Sequence, residues 1–389
     1  MPGMVIGTGD EADNWGLSEM GQIPGIELRG LVYEIDGYAE CVRNILAGFR
    51  EMGVAVALRS EHIAHQKVRL SPEMQRIISE AEKTPSRPEY PVIQFRLANA
   101  FQPEPGRYVI GISMLESDRI NESWVAGCNR IQEVWVPTKF NWETFTRSGA
   151  KNVVVMPLGV DVERFKPGLG PPLQFPFARS FKFLAMDWFL RKGPDLVVHA
   201  YFRGFRKSDD VLLVYKVKPE QKEAAFADIH KIAANYGGIE NTPPIAVMDT
   251  VYAWDEIPHL YNSVDCFLLP TRGEGWSLPV VEAMASGLPV ICTNWSGPTQ
   301  FINDQNAFPL RIEGLEPIPN FAFNEVCWQN GQWAKPSLEH LVELMRYTYE
   351  NREEARKRGQ KARSDVVKDY SWQKVTERMN NRIRQIVGA

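Results

Sequence analysis

The sequence contains no apolar run near the ~20 residues needed to span a bilayer, and no internal repeat beyond a generic likeness between two αβ halves. Its five cysteines, Cys41, Cys128, Cys266, Cys292 and Cys327, are scattered, odd in number and never spaced C-x-x-C. That pattern argues against a disulfide frame or a zinc site and suits reduced thiols in a cytoplasm. Cys266 and Cys292 lie in apolar runs and read as core residues. The six histidines, His62 and His65 among them, show no ligand spacing. No G-x-G-x-x-G follows a strand, which leaves a Rossmann dehydrogenase a distant alternative. The first twenty residues carry Asp10, Glu11 and Asp13 and lack an apolar h-region, so they do not read as a secretory signal. A formal net charge of −4 provides no field that would gather nucleic acid. The expected setting is cytoplasmic, with no nucleic-acid partner.

What is present is ordinary for a folded globular chain: 44% hydrophobic and 24% charged residues over 389 positions. That length suits two cores rather than one. Residues 28–33 read as a strand and 34–37 as a turn. Ala39, Val42, Ile45, Leu46, Phe49 and Met52 then recur at helical spacing until Gly53 stops the helix, and 54–58 follows as a strand. This βαβ unit is the building block of a parallel sheet, which apolar runs at 92–97, 108–112, 134–136 and 153–156 extend. Residues 60–91 are polar and irregular, with a helix expected after Ser71. Four prolines and two glycines between Pro167 and Pro176 mark an interdomain linker. Beyond it, strands are expected at 181–185, 211–215, 245–248, 266–269 and 290–293. Helices are expected at 193–204, 219–236, 255–263 and 278–286, and from Ser337 to the end. The charged stretch 352–368 reads as a solvated helix face. The expected organisation is two doubly wound α/β domains, 1–166 and 177–370, whose strand C-termini face a shared cleft, with 371–389 packing back toward the first.

The chemistry is concentrated in 261–299. A buried strand ends at Pro270, and the loop after it holds Gly273 and Gly275, which allow close backbone approach to a ligand. Ser277 stands where a helix N-cap belongs, and Pro279 lies in the first turn, where its missing N–H costs nothing. Gly287 ends the helix. Its unpaired N–H groups and positive dipole end make an anion site suited to a diphosphate. Glu274 in the loop and Glu282 a turn and a half into the helix can each hold a vicinal diol, one on a sugar and one on a ribose. Two glutamates at this spacing also arise by chance in so acidic a chain. A capped αβ turn with two solvent-facing glutamates is the plain alternative.

Taken whole, the segment resembles glycosyltransferase family 4 of the GT-B fold. The carrying residues are Glu274-Gly275-Trp276-Ser277-Leu278-Pro279, then Glu282-Ala283-Met284-Ala285 and Gly287-Leu288-Pro289-Val290-Ile291, which match the family's E-x7-E signature in its context. Pro157-Leu158-Gly159-Val160-Asp161, with Phe165 and Pro167, resembles its interdomain connector, and Arg191-Lys192-Gly193 its phosphate-binding lysine turn. Val134-Trp135-Val136-Pro137-Thr138 and Tyr370-Ser371-Trp372 also fit, so the likeness runs over 28–375. It implies a GT-B fold of two Rossmann-like domains facing a central cleft. It also implies retaining transfer from a nucleotide diphosphate-sugar donor to a glycan, lipid-linked or small-molecule acceptor, with no cofactor and no essential metal. The lack of any D-x-D motif agrees. By the same likeness Glu274 contacts the donor sugar, Glu282 the ribose hydroxyls and Lys192 the departing diphosphate. Gly37, Arg191, Gly275, Trp276, Ser277 and Leu278 surround the donor. Gly37 is otherwise a plain βα-turn glycine, and Lys216 and Lys218 either add positive charge or simply lie at the surface.

Several positions depart from the family. Its arginine shortly before the lysine is replaced by Ala185-Met186-Asp187-Trp188, which shifts phosphate neutralisation toward Arg191 or the later lysines. The first-domain loop is Glu34-Ile35-Asp36-Gly37-Tyr38 rather than a double glycine. Where many members carry a histidine stands Ser113-Met114-Leu115-Glu116-Ser117-Asp118-Arg119, so Glu116 either faces the reacting sugar or pairs with Arg119. Gln300 stands where an acid is frequent. With no dedicated nucleophile in the sequence, the resemblance implies that the leaving phosphate oxygen itself takes the acceptor proton. The departures leave a non-catalytic GT-B protein that binds a nucleotide or glycan as the competing reading. The basic stretch 59–69 is either a surface loop or a peripheral contact with a membrane that carries a lipid-linked acceptor.

Overall fold

The computed structural model describes residues 23–62, 68–253, 255–319, 328 and 330–388, so the expectations placed on 1–22, His65 and Cys327 lie outside the described residues. The first series of elements is β1 (Ile26–Leu31), α1 (Gly37–Glu51), β2 (Val56–Glu61), α2 (Pro72–Lys83), β3 (Val92–Phe95), β4 (Val109–Ile112), α3 (Glu122–Cys128), β5 (Glu133–Val136), α4 (Lys139–Ser148) and β6 (Val153–Val155). Its strands form one parallel sheet in the order β2-β1-β3-β4-β5-β6. Every residue of β3, β4 and β5 is buried, as expected where helices cover both faces of a parallel sheet. Helix α1 starts where Asp36 Oδ1 accepts from the Ala39 amide at 2.7 Å, and its stripe of Val42, Ile45, Leu46 and Phe49 is fully buried. Helix α2 starts after Ser71, whose hydroxyl accepts from the Met74 amide at 3.2 Å, with Pro72 in the first position, where an N–H is not needed.

The second series is β7 (Phe181–Met186), α5 (Pro194–Gly204), β8 (Val211–Lys216), α6 (Lys222–Ala233), β9 (Ile245–Met248), α7 (Ile257–Tyr261), β10 (Cys266–Leu269), α8 (Leu278–Ala285), β11 (Val290–Thr293) and β12 (Phe308–Leu310). These strands also run parallel, in the order β12-β11-β10-β7-β8-β9. Strand order reverses between β7 and β10, and a crevice opens at such a switch point beyond the strands' C-terminal ends. The loops after β7 and β10 are therefore neighbours, and they carry Lys192 and Glu274.

Some elements differ from the sequence reading. The helix expected over 219–236 is α6 flanked by 3-10 turns at Pro219–Gln221 and Ala234–Tyr236, and α7 is shorter than expected. Helices α3 and α4, strand β12 and the antiparallel hairpin of β13 (Ile312–Pro317) and β14 (Gln332–Pro336) were not foreseen. Strand β12 is three residues long and contains Pro309, which an edge strand tolerates because no further ladder bond is required there. The helical end resolves into α9 (Leu338–Glu350), α10 (Arg352–Asp369) and α11 (Trp372–Val387). Helix α11 buries Val375, Met379 and Ile383, places Thr376 where a side chain on Gly48 of α1 would stand, and pairs Arg382 with both oxygens of Glu133. Where the chain crosses between the sheets, the Val160 amide donates to the Tyr370 carbonyl at 2.9 Å and the Trp372 amide to the Val160 carbonyl at 3.3 Å. No described helix is long and apolar enough to cross a membrane.

Candidate active site

After β7 the chain turns through Leu190–Lys192 into Gly193, whose φ is +74° and whose missing side chain leaves room for the Pro270 carbonyl. This close approach presses the turn onto the loop after β10. The Arg272 amide donates to the Arg191 carbonyl at 2.7 Å, and the Thr271 hydroxyl oxygen lies 3.1 Å from the same carbonyl. Glu274 Oε1 consequently receives Lys192 Nζ at 2.9 Å, Arg191 Nη1 at 2.9 Å and the Thr271 hydroxyl at 3.1 Å. Burial pushes the Glu274 carboxyl up, but the Lys192 and Arg191 charges outweigh it and hold the group below its ordinary range. Glu116, on the loop after β4 of the other sheet, lies 3.6 Å from Arg191 Nη2. Its carboxyl is raised by burial and by Glu274, against the pull of Arg191. Glu116 thus pairs with Arg191 rather than with Arg119, which instead lies 3.4 Å from Asp118. An arginine from the neighbouring sheet is the stronger partner because it is half-buried there, whereas Arg119 is exposed.

The helix α8 begins one residue beyond Ser277. Ser277 holds the N-cap position but does not cap: its φ of 92° and ψ of 77° turn the backbone left-handed, and its buried hydroxyl has no partner among the described residues. A left-handed serine costs roughly 1–2 kcal/mol, and such strain gathers at functional sites. Asp187 and Ser296, in the loops after β7 and β11, share a positive φ. Helix geometry leaves the Leu278 and Val280 amides without intrahelical partners, and Pro279 has none to satisfy. Gly37 faces this helix end across the gap, with Leu278 Cδ1 3.3 Å from where its Cβ would stand. Gly273 and Gly275, read as room for a ligand, instead admit the loop after β4: the Glu116 carbonyl and the Met114 side chain fill the places of their missing side chains.

Glu282 lies apart from this ion cluster. Its Oε2 accepts from the Tyr261 hydroxyl at 2.7 Å, and burial raises its carboxyl to about 7, with Arg164 and Tyr261 opposing and Glu40 adding to the rise. It is no solvent-facing glutamate. The Tyr261 hydroxyl also lies 3.7 Å from Met186 Sδ. The Trp276 side chain turns away from the ion cluster to pack edge-on against Phe301 and Tyr370, with ring centroids 5.0 and 5.5 Å away. Lys216 Nζ donates to the Val217 carbonyl, and Lys218 stands over the Phe189 ring. Gln300 joins the two halves, accepting from the Lys139 amide at 2.9 Å and, through its carbonyl, from the Tyr370 hydroxyl at 2.9 Å. His62 stacks on Tyr33, and residues 63–67 of the basic stretch lie outside the described residues. A shallow depression lined by 103–108 and Gln132 opens beside the N-terminal ends of β4 and β5, away from these groups.

Sequence reasoning missed Thr271, Arg272, Ser296, Tyr261 and Arg164. Ser296 accepts from the Glu274 amide at 3.0 Å, and Arg272 grips Asp195 with two nitrogens, at 3.0 and 2.8 Å. Thr271 and Arg272 adjoin Glu274 in the sequence, which marked their neighbourhood but not their partners.

Two parallel α/β sheets with these strand orders define a GT-B fold. Residues 182–314 match the family described as Glycosyl transferases group 1. The sulfoquinovosyl transferase SQD2 of Arabidopsis thaliana is 27% identical over 226 residues, 57% of this chain and 38% of that protein. Among solved structures, a glycosyltransferase from Rickettsia africae superposes with a TM-score of 0.62 at 16% identity, covering 93% of this chain and 98% of that one. Anabaena HepE in complex with UDP and glucose gives 0.60 at 12% identity, covering 92% and 100%. The chain spans less than half the length of the first curated relatives it matches.

Proposed function

We propose that the chain is a retaining glycosyltransferase that moves a sugar from a nucleotide diphosphate donor to an acceptor hydroxyl without a metal. The observation that carries this is the ion cluster at the switch point of the second sheet: Glu274 held by Lys192 and Arg191, beside the free end of α8 and the unpartnered Ser277 hydroxyl. A diphosphate there would draw Lys192 and Arg191 to itself, and Glu274, released, would accept hydroxyl protons of the donor sugar. As the bond from the anomeric carbon to the phosphate oxygen breaks, charge grows on the diphosphate, which the two cations stabilise. The acceptor oxygen bonds to the anomeric carbon on the same face, and its proton passes to the departing phosphate oxygen. Glu282 would hold the ribose. The GT-B fold, the group 1 match and a neighbour crystallised with UDP and glucose support the reading.

The test is release of free nucleotide from UDP-, GDP- and ADP-sugars, with and without excess chelator. Slow donor hydrolysis that survives chelation is expected from at least one sugar. Nucleotide binding with no release from any donor would favour the non-catalytic reading. Turnover abolished by chelator and restored by magnesium would overturn metal independence alone.

A further inference from the structure

The β13–β14 hairpin belongs to neither parallel sheet, yet it touches the loops after β10 and β4 and reaches the turn after β7 through Arg272. Its root is Arg272. The Ala334 amide donates to the Arg272 carbonyl at 2.8 Å, Arg272 Nε lies 3.4 Å from Glu316, and the guanidinium stands over the buried ring of Trp333, 5.8 Å from its centroid. The same guanidinium donates to the Leu190 carbonyl at 2.6 Å, which ties the hairpin to the turn bearing Arg191 and Lys192. On its other side the hairpin meets the loop after β4. The Asp118 amide donates to the Gln332 carbonyl at 3.1 Å, and Asp118 Oδ1 accepts from the Gln332 amide at 2.6 Å. A side chain on Gly331 would stand 3.2 Å from the Ser117 Cβ. Glu116 sits two residues before Asp118, next to this grip.

We propose that the β13–β14 hairpin is a brace that sets Glu116 opposite Arg191 and Glu274, and that Asp118 is the positioning residue through which it acts. This rests on reading the site as one of sugar transfer. The Glu116 backbone already packs at Gly273, but its side chain is held across the gap only by the half-buried Arg191 contact, which is a weak tie. The reciprocal pair at Asp118 and Gln332 adds direction as well as attachment, because both partners are bonded in a fixed geometry. The donor loops are bonded directly to one another through the Arg191 carbonyl and pressed together at Gly193 and Pro270, so loss of Asp118 should misplace Glu116 and leave nucleotide binding alone.

Asp118→Ala should lower kcat about tenfold, the scale on which small misplacements act, with donor KM and product-nucleotide affinity within about twofold of wild type. Asp118→Asn keeps the accepting oxygen and should restore kcat. If Asp118 acts through Glu116, then Asp118→Ala combined with Glu116→Gln should be no slower than the slower single variant. Wild-type kcat in Asp118→Ala, multiplicative losses in the double variant, or parallel loss of nucleotide affinity would each overturn the positioning role. Docking is tested separately by Ser117→Cys with Gly331→Cys in a Cys327→Ser background, since the two sites are near disulfide reach. Mild oxidation should crosslink the folded protein and leave turnover intact. Turnover without a crosslink, or turnover lost on oxidation and regained on reduction, would sink the brace alone. A crosslink in a protein whose wild type releases nucleotide from no donor sugar would sink the transfer reading, and the positioning role with it.

Discussion

At the scale of single residues, Glu274 and Glu282 are held in opposite electrostatic states. Glu274 is kept ionised by two cations, whereas Glu282 is raised to about 7 by burial. The pH consequence of the second can be worked out. Between its ordinary 4.5 and about 7, the folded chain keeps a proton that the unfolded chain has lost. Stability therefore falls as pH rises through that window, by at most about 1.4 kcal/mol per unit. Glu282→Gln has no such proton. Denaturant titrations at pH 5 and pH 8 should show the wild type losing stability relative to this variant on going to the higher pH. Parallel behaviour would mean that solvent or Arg164 keeps Glu282 ionised throughout. Both glutamates stood out in the sequence through the resemblance. Their environments did not, since Tyr261, Arg164 and Lys192 reach them through the fold.

At the scale of elements, the sequence reading was strongest where apolar runs alternate with helical spacing, and β9, β10 and β11 fall where expected. It was weakest for α3, which has seven residues, for α4, whose buried face carries the polar Asn141 and Thr144 beside Phe145, and for the hairpin, whose strands are largely exposed along β13 and carry no alternating apolar pattern. The Leu190–Lys192 turn was visible as a basic pair before a glycine, but the reason for the glycine was not. Gly193 combines a left-handed backbone with a carbonyl in the place of a side chain. Gly193→Ala should therefore cost at least about 1–2 kcal/mol from the backbone conformation alone, with the clash against Pro270 added. Relief of that clash would draw Lys192 away from Glu274. The expected outcome is a lower denaturation midpoint together with weaker product-nucleotide binding. Lost stability with unchanged nucleotide affinity would detach the turn from the anion site.

At the scale of the whole molecule, the sheets could be counted from the sequence, but not the joint between them. The connector motif and the late Tyr370-Ser371-Trp372 stood far apart in the chain as separate likenesses. In the fold they are one object: Val160 is bonded on both sides to the 370–372 segment, and Trp372 covers Gly159. Tyr370 reaches on to Gln300 and packs against Trp276, at the start of the helix that bears Glu282. Any swing of one sheet against the other must turn about this joint, because both crossings of the chain pass through it. A side chain on Gly159 would stand 2.7 Å from the Trp372 ring, so Gly159→Val should push the crossings apart. The groups proposed to hold the donor, Lys192, Arg191, Glu274 and Ser277, all follow strands of the second sheet, so nucleotide affinity in a folded variant should change by less than about threefold. Glu116 and Gly37 belong to the first sheet, and misplacing them should lower transfer by tenfold or more on the usual cost of lost orientation. Near-ultraviolet circular dichroism would confirm folding, and calorimetric binding of the product nucleotide would be set beside turnover. Equal losses of binding and turnover would place the joint inside the donor site, and unchanged values of both would show that the crossings tolerate separation.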